Sequence, residues 1–468
     1  MPFINRLLHW ARTSPERAAV VVGDRELTYG ELAARASRSE LPAGGMIAMQ
    51  FEDPVDFAVA FTAVVGQGRC AAVLDPVWPA AQLAEVLEGL GPDAVLAGEL
   101  CPEASRPSQL ADPPPDARFY CGFTSGTSGM PKGFVRTVGS WSRSLERSVD
   151  WFGVTPGLRV FAPGPLAASL SLYALAECLY AGATFYAPAP EAVAGRAAFL
   201  EILRSGHIEH LVGVPSALRL ALERAETALP HLRTVVSGGS RLSAAEAGMV
   251  LRAAPAARVF EYYGASELSI VTVRRVDGSA GSDVGHPFAG VQIRVHADGR
   301  TAGPGEEGTI HVRTDTAIEG YLLGDDGRSF QRHGDWVTVQ DTGWIDDDDA
   351  LHLTGRHGDM VVVAGTNVYP SEVEAVLAGA GYPASVVVGI PDPRRGATLA
   401  AVIETPPGTD LDVPRLRSFL KKQLPPPKVP RRMYRTVRLP LTPAGKPDRA
   451  ALEAMVRTGG EVHELPAR

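Results

Sequence analysis

Short apolar runs alternate with stretches of helical periodicity along much of this chain, and that alternation restricts the fold more than any single motif does. Runs at 46–50 and 71–74 are followed by a helical pattern over 79–90. Strands joined through helices lie parallel, because a parallel pair needs a long crossover and a helix provides it. The pattern returns at 160–163, 183–187, 210–214 and 233–237, with an apolar helical stretch over 169–179. These periods predict an α/β fold with doubly wound, mostly parallel sheets. Near the start, a strand at 18–22 and a turn at 23–26 lead to Thr28 and Glu31, which have the spacing of a helix capping box.

From 282 to 321 the character changes to short strands punctuated by glycine, such as 291–295 and 308–312, which predicts an antiparallel or barrel-like subdomain. The run Asp346-Asp347-Asp348-Asp349 reads as a solvated hairpin turn, since four consecutive side chains do not converge on one ion. Beyond Arg356, strands are expected at 360–363, 384–389 and 398–404, and helices at 370–377, capped by Ser371, and at 413–423. That mixture is an α+β unit of ordinary domain size. The expected division is therefore a large N-terminal domain over 1–356 and a small C-terminal domain over 357–468.

A chain of 468 residues exceeds what one core usually serves, which agrees with more than one domain. With 45% hydrophobic and 21% charged residues, it has the composition of a soluble globular protein. A net charge of −8 argues against a general nucleic-acid binder. Cys70, Cys101, Cys121 and Cys178 are far apart and form no C-x-x-C pair, so neither a disulfide framework nor a zinc site is expected. No signal-peptide core and no membrane-length apolar run stands out, and a cytoplasmic location is the expectation.

Ligands in open parallel sheets sit beyond the carboxyl ends of strands, so the loops there deserve the closest reading. The run 118–123 leads into Thr124, Ser125, Gly126, Thr127, Ser128, Gly129, Met130, Pro131 and Lys132. Glycines let backbone N–H groups approach phosphate oxygens, hydroxyls donate further bonds, and a lysine answers the charge. It is not a Walker A loop, because no Gly-Lys-Ser/Thr triplet is present; by itself such a run is more often a flexible linker. Gly238, Gly239 and Ser240 follow the run at 233–237. Tyr263, Gly264, Ala265, Ser266 and Glu267 follow another β run. Glu267 suits a Mg²⁺ beside a polyphosphate; taken on its own it better suits the first turn of a helix, where the dipole favours a carboxylate.

Taken together, the run 123–133, the segment 263–267, Asp341, Gly355-Arg356, the segment 367–374 and Gly445-Lys446 stand in an order and spacing that resembles the adenylate-forming superfamily. That superfamily includes acyl- and aryl-CoA ligases, adenylation domains of nonribosomal peptide synthetases, and luciferase. The resemblance spans nearly the whole chain and is closest to the CoA ligases, by the form of 367–374. It implies a large domain and a small mobile one that activate a carboxylic acid as acyl-AMP, releasing pyrophosphate, and then pass the acyl group to a thiol. ATP, Mg²⁺ and CoA, or the phosphopantetheine of a carrier protein, are the implied cofactors and acceptors. The resemblance places Thr124 to Gly129 and Lys132 on the β- and γ-phosphates, and Gly238, Gly239 and Ser240 along the adenine. It places Tyr263 by the base, with Gly264 and Ala265 in the same nucleotide segment, Ser266 at the α-phosphate, Glu267 on Mg²⁺ and Asp341 on the ribose hydroxyls. Arg356 would support the nucleotide, Lys446 would reach the reacting carboxylate and α-phosphate, and Gly365, Thr366 and Asn367 would border the thiol channel.

The chain departs from the family pattern at three places. Val339-Gln340 stands where Thr-Gly usually precedes the ribose carboxylate, which changes its support. Gly358 occupies the hinge position, where Asp or Lys is usual; glycine permits the rotation but offers no side chain to lock it. Ala167, Ala168 and Ser169 replace the aromatic-His segment of the acyl site, and they read either as room for a bulky acyl group or as helix packing. No aspartate between 160 and 173 answers an α-ammonium, and the register of Glu177 relative to that segment is not set by sequence. The leading expectation is a CoA ligase. A carrier-protein loading enzyme, an amide- or lactone-forming relative, and a nucleotide-binding module without catalysis are the alternatives.

Overall fold

Apart from Asp56 in its first turn, the helix Pro54–Gly66 is apolar all round, so nearly all of it has to be covered. It packs against the strand Ala18–Val22 of one sheet and against Met46–Gln50 and Cys70–Val73 of another, which makes it the buried layer between the two. Asp53 caps its first turn by accepting from the N–H groups of Val55 and Asp56. The computed structural model describes residues 3–465 apart from 125–130, 191–195, 224, 226–227, 278–282, 357–359, 364–365, 393–395, 407–408, 410, 443–444 and 460–461.

The first of these sheets has a parallel centre and antiparallel margins. Ala18–Val22, Thr184–Ala187, Arg159–Phe161, His210–Gly213, Thr234–Ser237 and Arg258–Ala265 run parallel in that spatial order. Arg25–Thr28 closes one margin, and Ser269–Val276 with His286–Pro287 closes the other. The second sheet likewise joins parallel strands Ala94–Ala97, Met46–Gln50, Cys70–Val73 and Arg118–Thr124 to antiparallel Lys132–Thr137 and Tyr321–Leu323. The doubly wound α/β expectation holds, with antiparallel strands added where a hairpin returns from the site.

The other strands between 292 and 356, apart from Tyr321–Leu323, form a separate sheet in which every pairing among the described residues is antiparallel. Asp346 organises its aspartate turn: Oδ1 accepts from the N–H groups of Asp348 and Ala350, and Oδ2 lies 2.8 Å from His352 Nε2. Four aspartates therefore make a turn, as their spacing predicts.

The last sheet is built from residues 361–464 and is covered on both faces. Its long strands obey the period of two: Val387, Leu399, Ala401 and Ile403 face the helices Pro370–Gly379 and Val413–Gln423. Val386, Val388, Ala400 and Val402 face the helix Arg449–Thr458 through Leu452 and Val456.

Two local expectations need correction. The turn at 23–26 tightens to Gly23-Asp24, because Arg25 and Glu26 pair with Val22 and Val21 in a hairpin. Ser371 does not cap its helix; its hydroxyl donates to the carbonyl of Thr354 at 2.8 Å, while Glu372 accepts from the N–H of Tyr369 at the cap position. The capping box at Thr28 and Glu31 forms as expected.

Candidate active site

Strands that end in glycine or in tight turns deliver polar groups to one cleft. Arg258–Ala265 and Ser269–Val276 are two arms of a hairpin, and Glu267 sits in its turn, so the helix-first-turn alternative does not apply. Its carboxylate is buried, and Oε1 accepts from Tyr321 at 2.7 Å and from Thr124 Oγ1 at 3.5 Å. Burial, and then the neighbouring Glu267 charge, push the Tyr321 phenol up, so it stays a donor to that carboxylate.

Thr124 and Lys132 mark the two ends of the phosphate-loop candidate. Ser125, Gly126, Thr127, Ser128 and Gly129 lie outside the described residues. Lys132 is buried and differs from expectation in one respect: it is already paired. Its Nζ lies 2.6 Å from Asp326 Oδ2 and 2.5 Å from Ser329 Oγ. The Lys132 contact, ahead of two backbone N–H donors, holds the Asp326 carboxyl well below the usual range.

Arg136, which the sequence reading passed over, anchors the Glu267 turn from beneath. It is buried and donates to the carbonyls of Ser266, at 2.5 Å, and Thr316. Burial lowers its pKa to about 10, and the nearby Glu267 opposes that fall. The only signal in the sequence was a charge on an otherwise buried strand, four residues past Lys132.

Asp341 gathers a second cluster. It stands opposite Arg356 in an antiparallel pair, and Arg356 Nε donates to its Oδ1 at 2.6 Å. Tyr263 donates to its Oδ2 at 2.7 Å. Burial disfavours the charge on Arg356, but Asp341 outweighs that effect and holds the guanidinium firmly charged. The departure at Gln340 has a visible cost, since its φ of 63° lies in the left-handed region that glycine favours. Its N–H donates to Thr338 Oγ1 and its side-chain amide to Gln331 Oε1, which hold that conformation.

Gly238 and Gly239 follow the strand Thr234–Ser237, and each is needed for a different reason. A Cβ on Gly238 would fall 2.3 Å from the Tyr262 ring, and Gly239 has a φ of 82°. Gly239 and Ser240 present exposed surface to the cleft.

Lys446 reaches this place from the other end of the chain. Ser216 Oγ donates to the carbonyl of Gly445 at 2.5 Å, and Arg219 pairs with Glu404 at 3.5 Å, so the C-terminal sheet is docked on the helix Pro215–Leu222. Lys446 keeps accessible surface, yet its amine lies deep enough that burial, and then Arg356, lower its pKa, while Glu267 and Asp341 act in the opposite direction. Lys446, Arg356, Asp341 and Glu267 therefore share one electrostatic neighbourhood, and the Lys446 ammonium has no hydrogen-bond partner among the described residues.

At the acyl-site candidate, Ala167 and Ala168 lead into the helix Ser169–Ala181, and Ser169 Oγ accepts from Ser266 Oγ at 3.2 Å. Gly264 and Ala265 line the same turn with partly exposed surface. Thr366 and Asn367 lie on the strand Thr366–Val368, paired with Val361–Val363, and no hydrogen bond or ion pair joins Thr366 to the Asp341 cluster among the described residues. Gly358 and Gly365 lie outside the described residues. One carboxylate with neighbouring hydroxyls fits Mg²⁺, a hard cation that uses one or two protein carboxylates plus phosphate oxygens; no group of three or more His, Cys, Asp or Glu fit to hold a metal occurs among the described residues.

The chain matches the family model of AMP-binding enzymes over residues 7–322 and that of the AMP-binding enzyme C-terminal domain over 372–446. It is 29% identical over 471 residues to YhfT, an uncharacterized acyl-CoA ligase of Bacillus subtilis, covering 93% of this chain and 94% of that protein. Among solved structures, it superposes on the anthranilate CoA ligase AuaEII in complex with anthranoyl-AMP with a TM-score of 0.86 at 21% identity, over 98% of this chain and 97% of that one. The o-succinylbenzoate CoA synthetase MenE of Bacillus subtilis, in complex with its acyl-adenylate, gives 0.83 at 23% identity, over 97% and 98% of the two chains. At these identities the structural likeness shows the fold.

Proposed function

Since the chain belongs to the AMP-binding enzyme family, we propose that it is an AMP-forming acid–thiol ligase, which joins a carboxylic acid to AMP and then passes the acyl group to CoA. The observation that carries this reading is that Lys446, brought in on the docked C-terminal sheet, lies against Gly239 within electrostatic reach of Glu267, Asp341 and Arg356.

In the first step a carboxylate oxygen attacks the α-phosphorus of ATP, the bond to the β-phosphate oxygen breaks, and pyrophosphate leaves. Two anions have to approach each other, so the barrier falls where fixed positive charge meets the developing negative charge. Lys446, unpartnered and partly desolvated, supplies it. Asp341 accepts both ribose hydroxyls, and Tyr263 and Arg356 hold its two oxygens in place. Gly239, Ser240 and the unobstructed backbone at Gly238 flank the adenine, while Thr124 and Lys132 meet the phosphates and Ser266 the α-phosphate. Glu267 would hold Mg²⁺, which would neutralise phosphate charge when bound.

In the second step a thiolate sulfur attacks the acyl carbonyl carbon and AMP departs with the electrons of the anhydride bond. The small unit, 357–468, turns against 1–356 about Gly358 between the steps, withdrawing Lys446 and bringing Gly365, Thr366 and Asn367 to the thiol. CoA is favoured as acceptor by the form of 367–374 and by the CoA-ligase names of the relatives.

The test is ATP–pyrophosphate exchange with a panel of carboxylic acids, followed by addition of CoA or of a phosphopantetheinylated carrier protein. Acid-dependent exchange followed by CoA thioester is expected. Exchange that yields thioester only on the carrier reassigns the acceptor, and no exchange with any acid overturns the proposal.

A further inference from the structure

Glu267 and Asp341 are both buried at the cleft, and they are held in different ways. Asp341 is paired with a cation, Arg356. Glu267 forms no ion pair among the described residues; its carboxylate accepts only from neutral hydroxyls, Tyr321 at 2.7 Å and Thr124 at 3.5 Å. Arg136, close by, directs its donors to the carbonyls of Ser266 and Thr316 instead. A buried carboxylate without a cation beside it is costly, and neutral donors offset only part of that cost. They also leave its charge whole for a cation that arrives later.

The two hydroxyls converge on one oxygen. Oε1 accepts from both, whereas Oε2 accepts from none among the described residues and is not enclosed by the protein. One oxygen is held by the fold and the other is left over.

Tyr321 is the stronger of the two holders, and its own place is well fixed. It opens the strand Tyr321–Leu323, which pairs with Lys132–Thr137. The segment before it is tied to the Glu267 turn, since the N–H of Ile318 donates to the Glu267 carbonyl at 2.8 Å and Thr316 Oγ1 to the Leu268 carbonyl at 3.1 Å. The ring meets Phe330 edge-on, with centroids 6.3 Å apart, and the Lys132 ammonium lies 5.6 Å from its centre. A phenylalanine would serve those ring contacts equally well. The hydroxyl has Glu267 as its one hydrogen-bond partner among the described residues.

Building on the Mg²⁺ assignment within the reading above, we infer that Tyr321 is a positioning residue for the metal: its hydroxyl fixes Glu267 Oε1 and leaves Oε2 to the Mg²⁺ that accompanies ATP. Without that bond the carboxylate turns about its last torsion, and the metal has to order it on binding. Partners that orient a metal ligand in this way typically contribute about tenfold or more in affinity.

The test is calorimetric titration of the full chain with ATP, once in excess Mg²⁺ and once in EDTA, so that the ratio of the two affinities measures what the metal adds. Tyr321→Phe, which keeps the ring beside Lys132, is expected to cut that ratio by about tenfold, with the affinity in EDTA and the melting temperature unchanged. A hydroxyl that served packing alone would move the melting temperature and both affinities together and leave the ratio as it was. If Tyr321→Phe does not fold, Phe330→Leu, which loosens the ring, is expected to cut the ratio several-fold. An unchanged ratio in the variant that folds, or a wild-type affinity that Mg²⁺ does not raise, overturns the inference, and acid-dependent pyrophosphate exchange by the wild type then leaves the ligase reading standing. Absence of exchange with any acid counts against the ligase reading alone, and absence of ATP binding withdraws both.

Discussion

Gly239 and Lys446 are far apart in sequence and meet in space: the lysine Cε lies 3.3 Å from the point where a Cβ on Gly239 would stand. The same Cβ would lie 3.1 Å from Val214, and the backbone φ of 82° is one that alanine rarely adopts. Gly239→Ala is therefore expected to destabilise the fold by about 1–2 kcal/mol and, by displacing the lysine, to slow acyl-AMP formation by about tenfold. Denaturant titration and pyrophosphate release measure the two effects. Wild-type behaviour in both would mean that the lysine does not depend on this close approach.

Gln340 offers a substitution in the opposite sense. Glycine adopts its φ of 63° without strain, so Gln340→Gly is expected to raise stability by about 1 kcal/mol despite loss of the amide bond to Gln331. A lowered midpoint of unfolding would show that the amide bond outweighs the strain.

On the proposed reading, Lys132 gives up its pairing with Asp326 to serve a phosphate. An ion pair whose acid is partly exposed contributes up to about 1 kcal/mol, or about fivefold in affinity. Asp326→Asn is expected to lower the KM for ATP by about two- to fivefold, with the gain shrinking at high salt. A raised KM would mean that Asp326 orients Lys132 for the nucleotide.

Burial raises the carboxyl of Glu177 from 4.5 to about 7. Between those values the folded chain holds a proton that the unfolded chain has released, so stability falls as pH rises through this window and levels off above it. Glu177→Gln removes the dependence. It is expected to be more stable than the wild type at pH 8 by about 2–3 kcal/mol, and to differ little at pH 4. Parallel stability curves for the two proteins would contradict this assignment.

Residues that sit at strand ends were legible because the local pattern and the function coincide there. The run before Gly238, the run before Tyr263 and the aspartate turn at 346–349 could be placed from periodicity and composition, while Asp341 was placed by family pattern. The Lys446 segment was placed by family pattern rather than by any local period. What could not be read were partnerships across the fold. Nothing near Asp326 in sequence announces Lys132, and nothing near Tyr321 announces Glu267. The handedness of Gln340 was equally hidden, because only the short connection between the strands Trp336–Thr338 and Asp341–Ile345, which do not pair with each other, imposes it. Glu177 was noticed and left without a register. The helical stretch from 169 was expected, but the contact of the Ser169 hydroxyl with Ser266 is a partnership across the fold that no local pattern shows.

The central claim is that Lys446 completes the site where an acid and ATP become acyl-AMP and pyrophosphate. The direct measurement is acyl-AMP formation in the absence of any thiol, followed for the wild type and for Lys446→Ala with the same acid. The account predicts a rate lower by roughly 10²- to 10³-fold in the variant, the scale of one lost charge-stabilising donor, with an unchanged melting temperature. Equal rates of acyl-AMP formation in the two proteins would contradict it.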